Sequence, residues 1–339
     1  MDRIQANRLR NALWASFTLL LLAIAVVTIA LNTGSIRLSP SEVWNTLWGN
    51  GTSEQVLILF EYRLPRIVIT ALAGMGLGVA GAVLQGVSRN ALADPGIFGL
   101  HAGAAFGLIV FVSFFRTMEG PAALLIPIFT FAGGVVTAVI IFLFAYDRFK
   151  GLLPIRLILV GIAVEAGISA FTLFLSLRLD EDTYSFTARW LAGSVWGREW
   201  IHVWTLLPWI VLLIPFLYSQ SKKLDLFALG DELASGIGSR VTRNRIVMLA
   251  AAVALSCASV AMAGGIGFIG LVAPHIARRL AGPQHRYFLP VAALTGLVIL
   301  VTADTIGRSI LQPVAIPAGI VVAMVGGPYF LYMLFKTKF

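Results

Sequence analysis

Charge is what this 339-residue chain has least of. Asp, Glu, Lys and Arg together make up 12% of it, about half the share found in a soluble globular domain. So little polar surface cannot cover a protein in water, which excludes a soluble enzyme and a disordered chain. Cysteine is nearly absent. Cys257 stands alone inside an apolar run, so a disulfide scaffold is excluded and packing is its simplest role. Histidine is scarce as well. His101, His202, His275 and His285 each lack a second His or Cys at ligand spacing, so no metal site is expected. No Gly-x4-Gly-Lys-Ser/Thr segment occurs, so the chain has no phosphate-cradling loop of that type for ATP. No nucleophile and base cluster together either. Catalytic residues and cofactors are expected to be none.

What the chain has in quantity is apolar sequence, 58% of its residues, with a mean hydropathy of +0.89. The runs are ~18–25 residues long, and about 20 are needed for a helix to cross a bilayer. Alternating strands of about ten residues are not their pattern. The sequence predicts an all-α polytopic membrane protein, one domain over 1–339, with about ten transmembrane helices. The spans read as 12–31, 64–84, 96–115, 122–146, 152–176, 201–218, 246–263, 266–280, 288–307 and 314–335. The first follows Arg8 and Arg10 but exceeds a signal-peptide core, and it is read as retained. Placing both termini on one side puts about two-thirds of the lysines and arginines in that side's loops, so both termini are expected to be cytoplasmic. The net charge of +9 reflects this asymmetry and not nucleic acid. The longer loops are 32–63 and 177–200 outside and 219–245 inside. The outer two carry Trp44, Trp48, Trp190, Trp196 and Trp200, which suit a membrane interface.

Several residues are candidates for function. Gly76-Leu77-Gly78-Val79-Ala80-Gly81 matches a dinucleotide fingerprint, but it lies mid-span, where small residues serve close helix packing. Glu165 and Asp304 are acids inside spans. Such acids are costly and line a path or relay, or bond neighbouring helices. For Asp304 the structural reading gains weight, because Arg308 is four residues on. Within the inner loop, Asp225 and Asp231 are placed to cap short helices and Gly230 and Gly238 to end them. Leu226, Phe227, Leu229, Leu233 and Ile237 there read as a docking surface, or else as packing under the bundle. Outside, Arg63-Leu64-Pro65-Arg66 reads as a helix start at Pro65. Its two arginines read as a carboxylate-binding pocket or as side chains snorkelling to headgroups.

Five stretches taken in order carry a resemblance. They are Arg63–Arg66 continuing to Gln85, then Arg89–Pro95, then Leu226–Gly238. Gly267–Arg278 follows, and last Ala303-Asp304-Thr305 through Ile316-Pro317-Ala318-Gly319 to Gly326–Phe330. Together they resemble the iron-siderophore and cobalamin ABC-importer permease family, the membrane subunit of type II importers. The resemblance implies a ten-span subunit of the bacterial inner or plasma membrane that pairs with a second permease, as a homo- or heterodimer. Two ATP-binding-cassette ATPase subunits would sit below it and an extracytoplasmic substrate-binding protein above, with a ferric siderophore as cargo and cobalamin or haem as alternatives. It implies ATPase coupling through Asp225, Leu226, Phe227, Leu229, Gly230, Asp231, Glu232, Leu233 and Gly238. It also implies docking of the binding protein on Arg63, Arg66 and Arg308. Gln85, His101, Glu165 and Asp304 are candidates for the translocation path. The sequence departs from the family pattern at Asn90-Ala91, where Asn-Pro is usual, and at Leu100-His101-Ala102, where a serine-rich stretch is usual. The reading from another class is an ion- or proton-coupled secondary transporter with Glu165 and Asp304 as relays. Inverted repeats would mark it, and none is found.

Overall fold

A computed structural model describes residues 2–34, 36–96, 98–115, 125–148, 151–311 and 315–336 of the chain. The opening residues of the spans expected at 122–146 and 314–335 lie outside these. The chain is helical almost throughout. In order it forms α1 (Asp2–Asn32), α2 (Pro40–Leu47), α3 (Ser53–Val56), α4 (Leu64–Ser88), α5 (Leu100–Phe114), α6 (Ile126–Ala145) and α7 (Pro154–Ser176). Then come α8 (Glu181–Leu191), α9 (Trp200–Ser219), α10 (Ser221–Phe227), α11 (Asp231–Gly236), α12 (Val241–Ala263), α13 (Ile269–Ala281), α14 (His285–Ile310) and α15 (Ala318–Lys336). A two-residue antiparallel ladder, Tyr146–Asp147 with Gly151–Leu152, closes the turn between α6 and α7.

Among the described residues, eight helices are long and apolar enough to cross a membrane. Two of the ten expected spans are shorter. At about 1.5 Å per residue, α5 and α13 reach only about 22 and 20 Å, less than the ~30 Å hydrocarbon layer. Both start deep in the bundle. Gly99, which begins α5 in a left-handed conformation, lies against Gly161, two turns into α7. Gly270, at the start of α13, lies against Gly81, two turns from the inner end of α4. Irregular backbone at this depth is tolerated only where protein buries it or water lines it.

The helix start expected at Pro65 is not one. Helix runs unbroken from Ser53 to Ser88, 36 residues. Its turns before Pro65, Leu57–Arg63, are wound as π-helix. Proline has no N–H for the carbonyl four residues back, and the wider winding carries the helix past that missing bond. The true start is Thr52, whose hydroxyl accepts from the Gln55 N–H while the Gln55 side chain returns the bond, a reciprocal cap.

The core is built on α4, which packs most extensively on α14, α12 and α13. The reason is the glycine run. A Cβ at Gly74 would strike the backbone of Gly296 on α14, and one at Gly81 would strike Gly270 on α13. The most apolar windows of the α4, α12 and α14 spans are 83%, 72% and 67% buried, against 11–28% for the five other long spans. Those outer spans present their apolar side chains to lipid or to a neighbouring subunit. Inserting side-chain volume at Gly81 would force two backbones apart, at a cost of about 1–3 kcal/mol or more. Gly81→Leu is expected to lower the melting temperature of the detergent-solubilised protein and its accumulation in membranes, whereas Gly167→Ala, in open space on α7, leaves both unchanged.

Candidate functional site

The end of the bundle that carries α10 and α11, the inner face in the expected orientation, is organised by two carboxylates. Asp231, the first residue of α11, does not cap its own helix; Gly230 precedes it with φ +100° and no side-chain cap bond is made. Its carboxylate instead takes a two-pronged grip from Arg245 on α12, Nη2 to Oδ1 at 2.8 Å and Nη1 to Oδ2 at 3.1 Å. Arg89, just past α4, donates to the same carboxylate and to the Phe227 carbonyl. Charge-assisted forks of this kind outweigh a neutral backbone cap. Arg245 first and Arg89 second hold the Asp231 carboxyl below the usual carboxylate range. Asp225 caps a different helix from its own. Its Oδ1 accepts from the His285 backbone N–H at 2.9 Å and sits 2.6 Å from His285 Nδ1, placing negative charge at the start of α14. Gly238 follows α11 at φ +84°, as a helix-ending glycine should. Phe227, expected on the docking surface, is core at 1% exposure and lies under the Arg245 guanidinium. Leu229, Leu233 and Ile237 are 53%, 65% and 65% exposed, and Glu232 is exposed beside them. A groove of about 630 Å³ runs next to them, lined by Lys223, Leu226, Ile237, Arg240 and Arg243.

The outer face gathers arginines. Arg66 forks onto Asp304, with Nη2 to Oδ1 at 2.7 Å and Nε 3.1 Å from each oxygen. Arg308, one turn along α14, brings its Nε to 3.2 Å from the other oxygen of the same carboxylate. Arg63 donates to the carbonyls of Leu31 and Ile36, and Arg308 donates to that of Thr33 at 3.3 Å. These carbonyls lie at and beyond the end of α1, where the helix dipole favours cations. The three arginines are therefore not snorkelling. Arg63 and Arg308 are 5% and 9% exposed, held internally by α1 and by Asp304. All three line a cavity of about 330 Å³ together with Arg198, Glu61 and Glu199. Nε of Arg198 is buried with no hydrogen-bond partner among the described residues. Burial lowers the Arg198 pKa to about 10, so it stays charged at neutral pH. The outer tryptophans divide. Trp44, Trp48 and Trp196 are exposed, Trp190 is buried, and Trp200 donates to the Phe60 carbonyl at 2.8 Å.

Between the faces lies a small polar belt. Gln85 donates weakly to the carbonyls of Gly270 and Leu271, at 3.3 and 3.4 Å. Asp94, 7% exposed, accepts from the Gly96 N–H at 2.9 Å and lies against Gly270. His101 lies beside Gly96 as well, with Nε2 buried and without a partner among the described residues. Glu165, half-buried on α7, acts electrostatically on Asp94. The structure thus brings Gln85, His101 and Glu165 of the four path candidates to one level. It places Asp304 elsewhere, in the outer arginine cluster. Reading the sequence alone missed Arg89, Arg198, Arg245, His285 and Asp94 as site residues. Each is an ordinary loop or helix-end residue until the chain folds, which brings Asp225 to His285 across 60 positions and Asp231 to Arg89 across 142. Only Arg89 and Asp94 had a signal, through the Arg89–Pro95 stretch.

The chain is similar to known proteins over nearly its whole length. The sequence matches the FecCD transport family over residues 20–336. It is 43% identical over 322 residues to the iron(3+)-hydroxamate import system permease protein FhuG of Bacillus subtilis (strain 168), covering 94% of this chain and 95% of that one. To the Fe(3+)-citrate import system permease protein YfmE of the same organism it is 43% identical, covering 96% of each. To the Fe(3+) dicitrate transport system permease protein FecD of Escherichia coli (strain K12) it is 37% identical, covering 87% and 91%. A solved metal-chelate type ABC transporter, in an inward-facing conformation, superposes with a TM-score of 0.83 at 30% identity. That match covers 95% of this chain and 98% of the other.

One expectation follows from the geometry. Asp304→Ala strips the counter-ion from Arg66 and Arg308, and breaking a buried pair costs about 3–5 kcal/mol; a loss of that size is expected in detergent unfolding.

Proposed function

The chain belongs to the FecCD transport family, and from that premise we propose that it forms half of the pathway by which an ATP-driven importer moves a ferric siderophore across the bacterial inner membrane. The observation that carries the cargo is identity of 43%, over nearly the whole length, to permeases named for ferric hydroxamate and ferric citrate. The chain does no chemistry on its cargo. ATP is hydrolysed by two partner ATPase subunits, and an extracytoplasmic binding protein delivers the chelate.

The two faces fit those partners. Inside, Leu229, Leu233 and Ile237 expose a compact apolar patch on the short helices α10–α11 and the turn after them, bordered by the groove that holds Lys223, Arg240 and Arg243. An ATPase subunit is its occupant. Outside, the arginine-lined cavity suits carboxylates of the binding protein, and of its four arginines Arg198 is the least committed to partners among the described residues. Arg63, Arg66 and Arg308 supply the surrounding positive field. The second permease subunit completes the path along α7, because Glu165 on that helix makes no hydrogen bond within its own bundle among the described residues and would be costly against lipid. Transport then proceeds by alternating access. ATP shifts the equilibrium between conformations only through its differential affinity for them.

Uptake of iron-labelled chelates in a strain lacking this gene tests the cargo across a panel of hydroxamate, citrate and catecholate siderophores and cobalamin. Loss of one or more ferric chelates, restored by the gene, is expected; unchanged iron uptake with loss of cobalamin alone would refute it. For the inner patch, Leu233→Arg is expected to cut co-purification with the ATPase at least tenfold while the protein still accumulates in the membrane. Full retention of the ATPase would remove the docking assignment.

A further inference from the structure

The ion pairs of the inner face join the exposed helices to particular spans and leave the others untouched. Asp231 on α11 is gripped by Arg245, near the inner end of α12, and by Arg89, at the inner end of α4. Asp225 on α10 is held by His285, the first residue of α14. These three spans, α4, α12 and α14, are the buried ones; glycine brings α4 and α14 backbone to backbone, and α12 packs its Ser259 and Leu255 side chains against Gly76 of α4. Among the described residues no ion pair links α10 or α11 to the peripheral spans α1, α6, α9 or α15. The Arg245 guanidinium also reaches the Leu152 carbonyl, at the entry to α7, at 3.0 Å.

Arg89 is built for this task at a cost. It takes a left-handed conformation, φ +55°, at the end of α4, which a side chain with a Cβ disfavours. Glycine ends a helix there without strain. An arginine in its place directs the guanidinium across to Phe227 and Asp231. The pair it forms with Asp231 is partly exposed, 34% and 44%, and pairs of that kind add little to stability. Strain accepted for an interaction of small stabilising value points to a role in function.

We propose that Arg89, Asp231 and Arg245 form an ionic strut, doubled by Asp225 and His285, which carries displacement of α10–α11 into the α4–α12–α14 core as one block. Arg89 and Asp231 are positioning residues for transport. They do not touch cargo, and they do not form the patch the ATPase rests on. The inference rests on the docking reading above and adds to it the route of the force.

The test uses the complete importer, with its ATPase and binding protein, in proteoliposomes supplied with a ferric hydroxamate. ATP hydrolysis, ATPase association and transport are measured separately. Arg89→Gly is the chief variant, since it relieves the backbone strain while removing the guanidinium, so misfolding is not its expected result. It is expected to keep ATPase association and to hydrolyse ATP within about twofold of wild type, with transport per ATP at least tenfold lower. Asp231→Asn is expected to behave alike, and Asp231→Glu to restore part of the coupling. Wild-type transport per ATP in Arg89→Gly would overturn the strut. So would a loss of ATPase association in step with transport, because these residues would then only shape the docking surface. Retained association in Leu233→Arg is a separate result. It would sink the docking reading, whatever Arg89→Gly does.

Discussion

Gly74, Gly78 and Gly81 let the backbone of α4 touch those of α14 and α13 directly. Without a hydrophobic driving force between helices in lipid, association depends on close van der Waals packing, and small residues are what make it possible. That contact fixes the relative heights of α4, α13 and α14, and α12 packs on α4 through the Ser259 and Leu255 side chains at Gly76. Because those helices cannot slide past one another, their ends arrive at fixed places, and the charged residues at the ends meet defined partners. The outer cluster of Arg66, Asp304 and Arg308 and the inner cluster of Asp225, Asp231, Arg245 and His285 are both consequences of that register.

The two clusters solve the same electrostatic problem differently. At the outer face four arginines share one cavity with the exposed carboxylates of Glu61 and Glu199 and with Asp304 buried behind it, which leaves one positive charge over. The remaining positive charge is spread onto carbonyls at the end of α1. The balance leaves a positive surface that an acidic partner can use. At the inner face carboxylates and guanidinium groups are closer to parity, and the apolar residues stand outside them. One face is suited to electrostatic recognition, the other to a greasy contact backed by a rigid ionic frame.

Between the faces, α5 and α13 begin in mid-bundle, and the turn holding Asp94 rests on the start of α13. Gln85, Asp94, His101 and Glu165 sit near this break. Broken helices concentrate unpaired backbone dipoles, so polar side chains are affordable there and costly elsewhere in the membrane. This accounts for where the few buried polar groups of a chain so poor in charge are found.

The apolar runs by themselves determined the all-helical class and the place of nearly every long helix, since ~20 apolar residues have few alternatives in a bilayer. The short helices α10 and α11 were legible too, from glycine at 230 and 238 and acids between. The roles within them were not. A capping role for Asp225 and Asp231 is a local reading, and what decided their partners was non-local: Arg245 and His285 approach only when α12 and α14 pack on α4. Arg308 could be paired with Asp304 from their spacing alone, but Arg63 read as a surface cation because sequence shows hydropathy along a span and not what lies across from it. Only the folded chain brought the end of α1 over them. Local patterns set helices because helix hydrogen bonds are local; ion pairs are made between helices, so their partners are settled by packing.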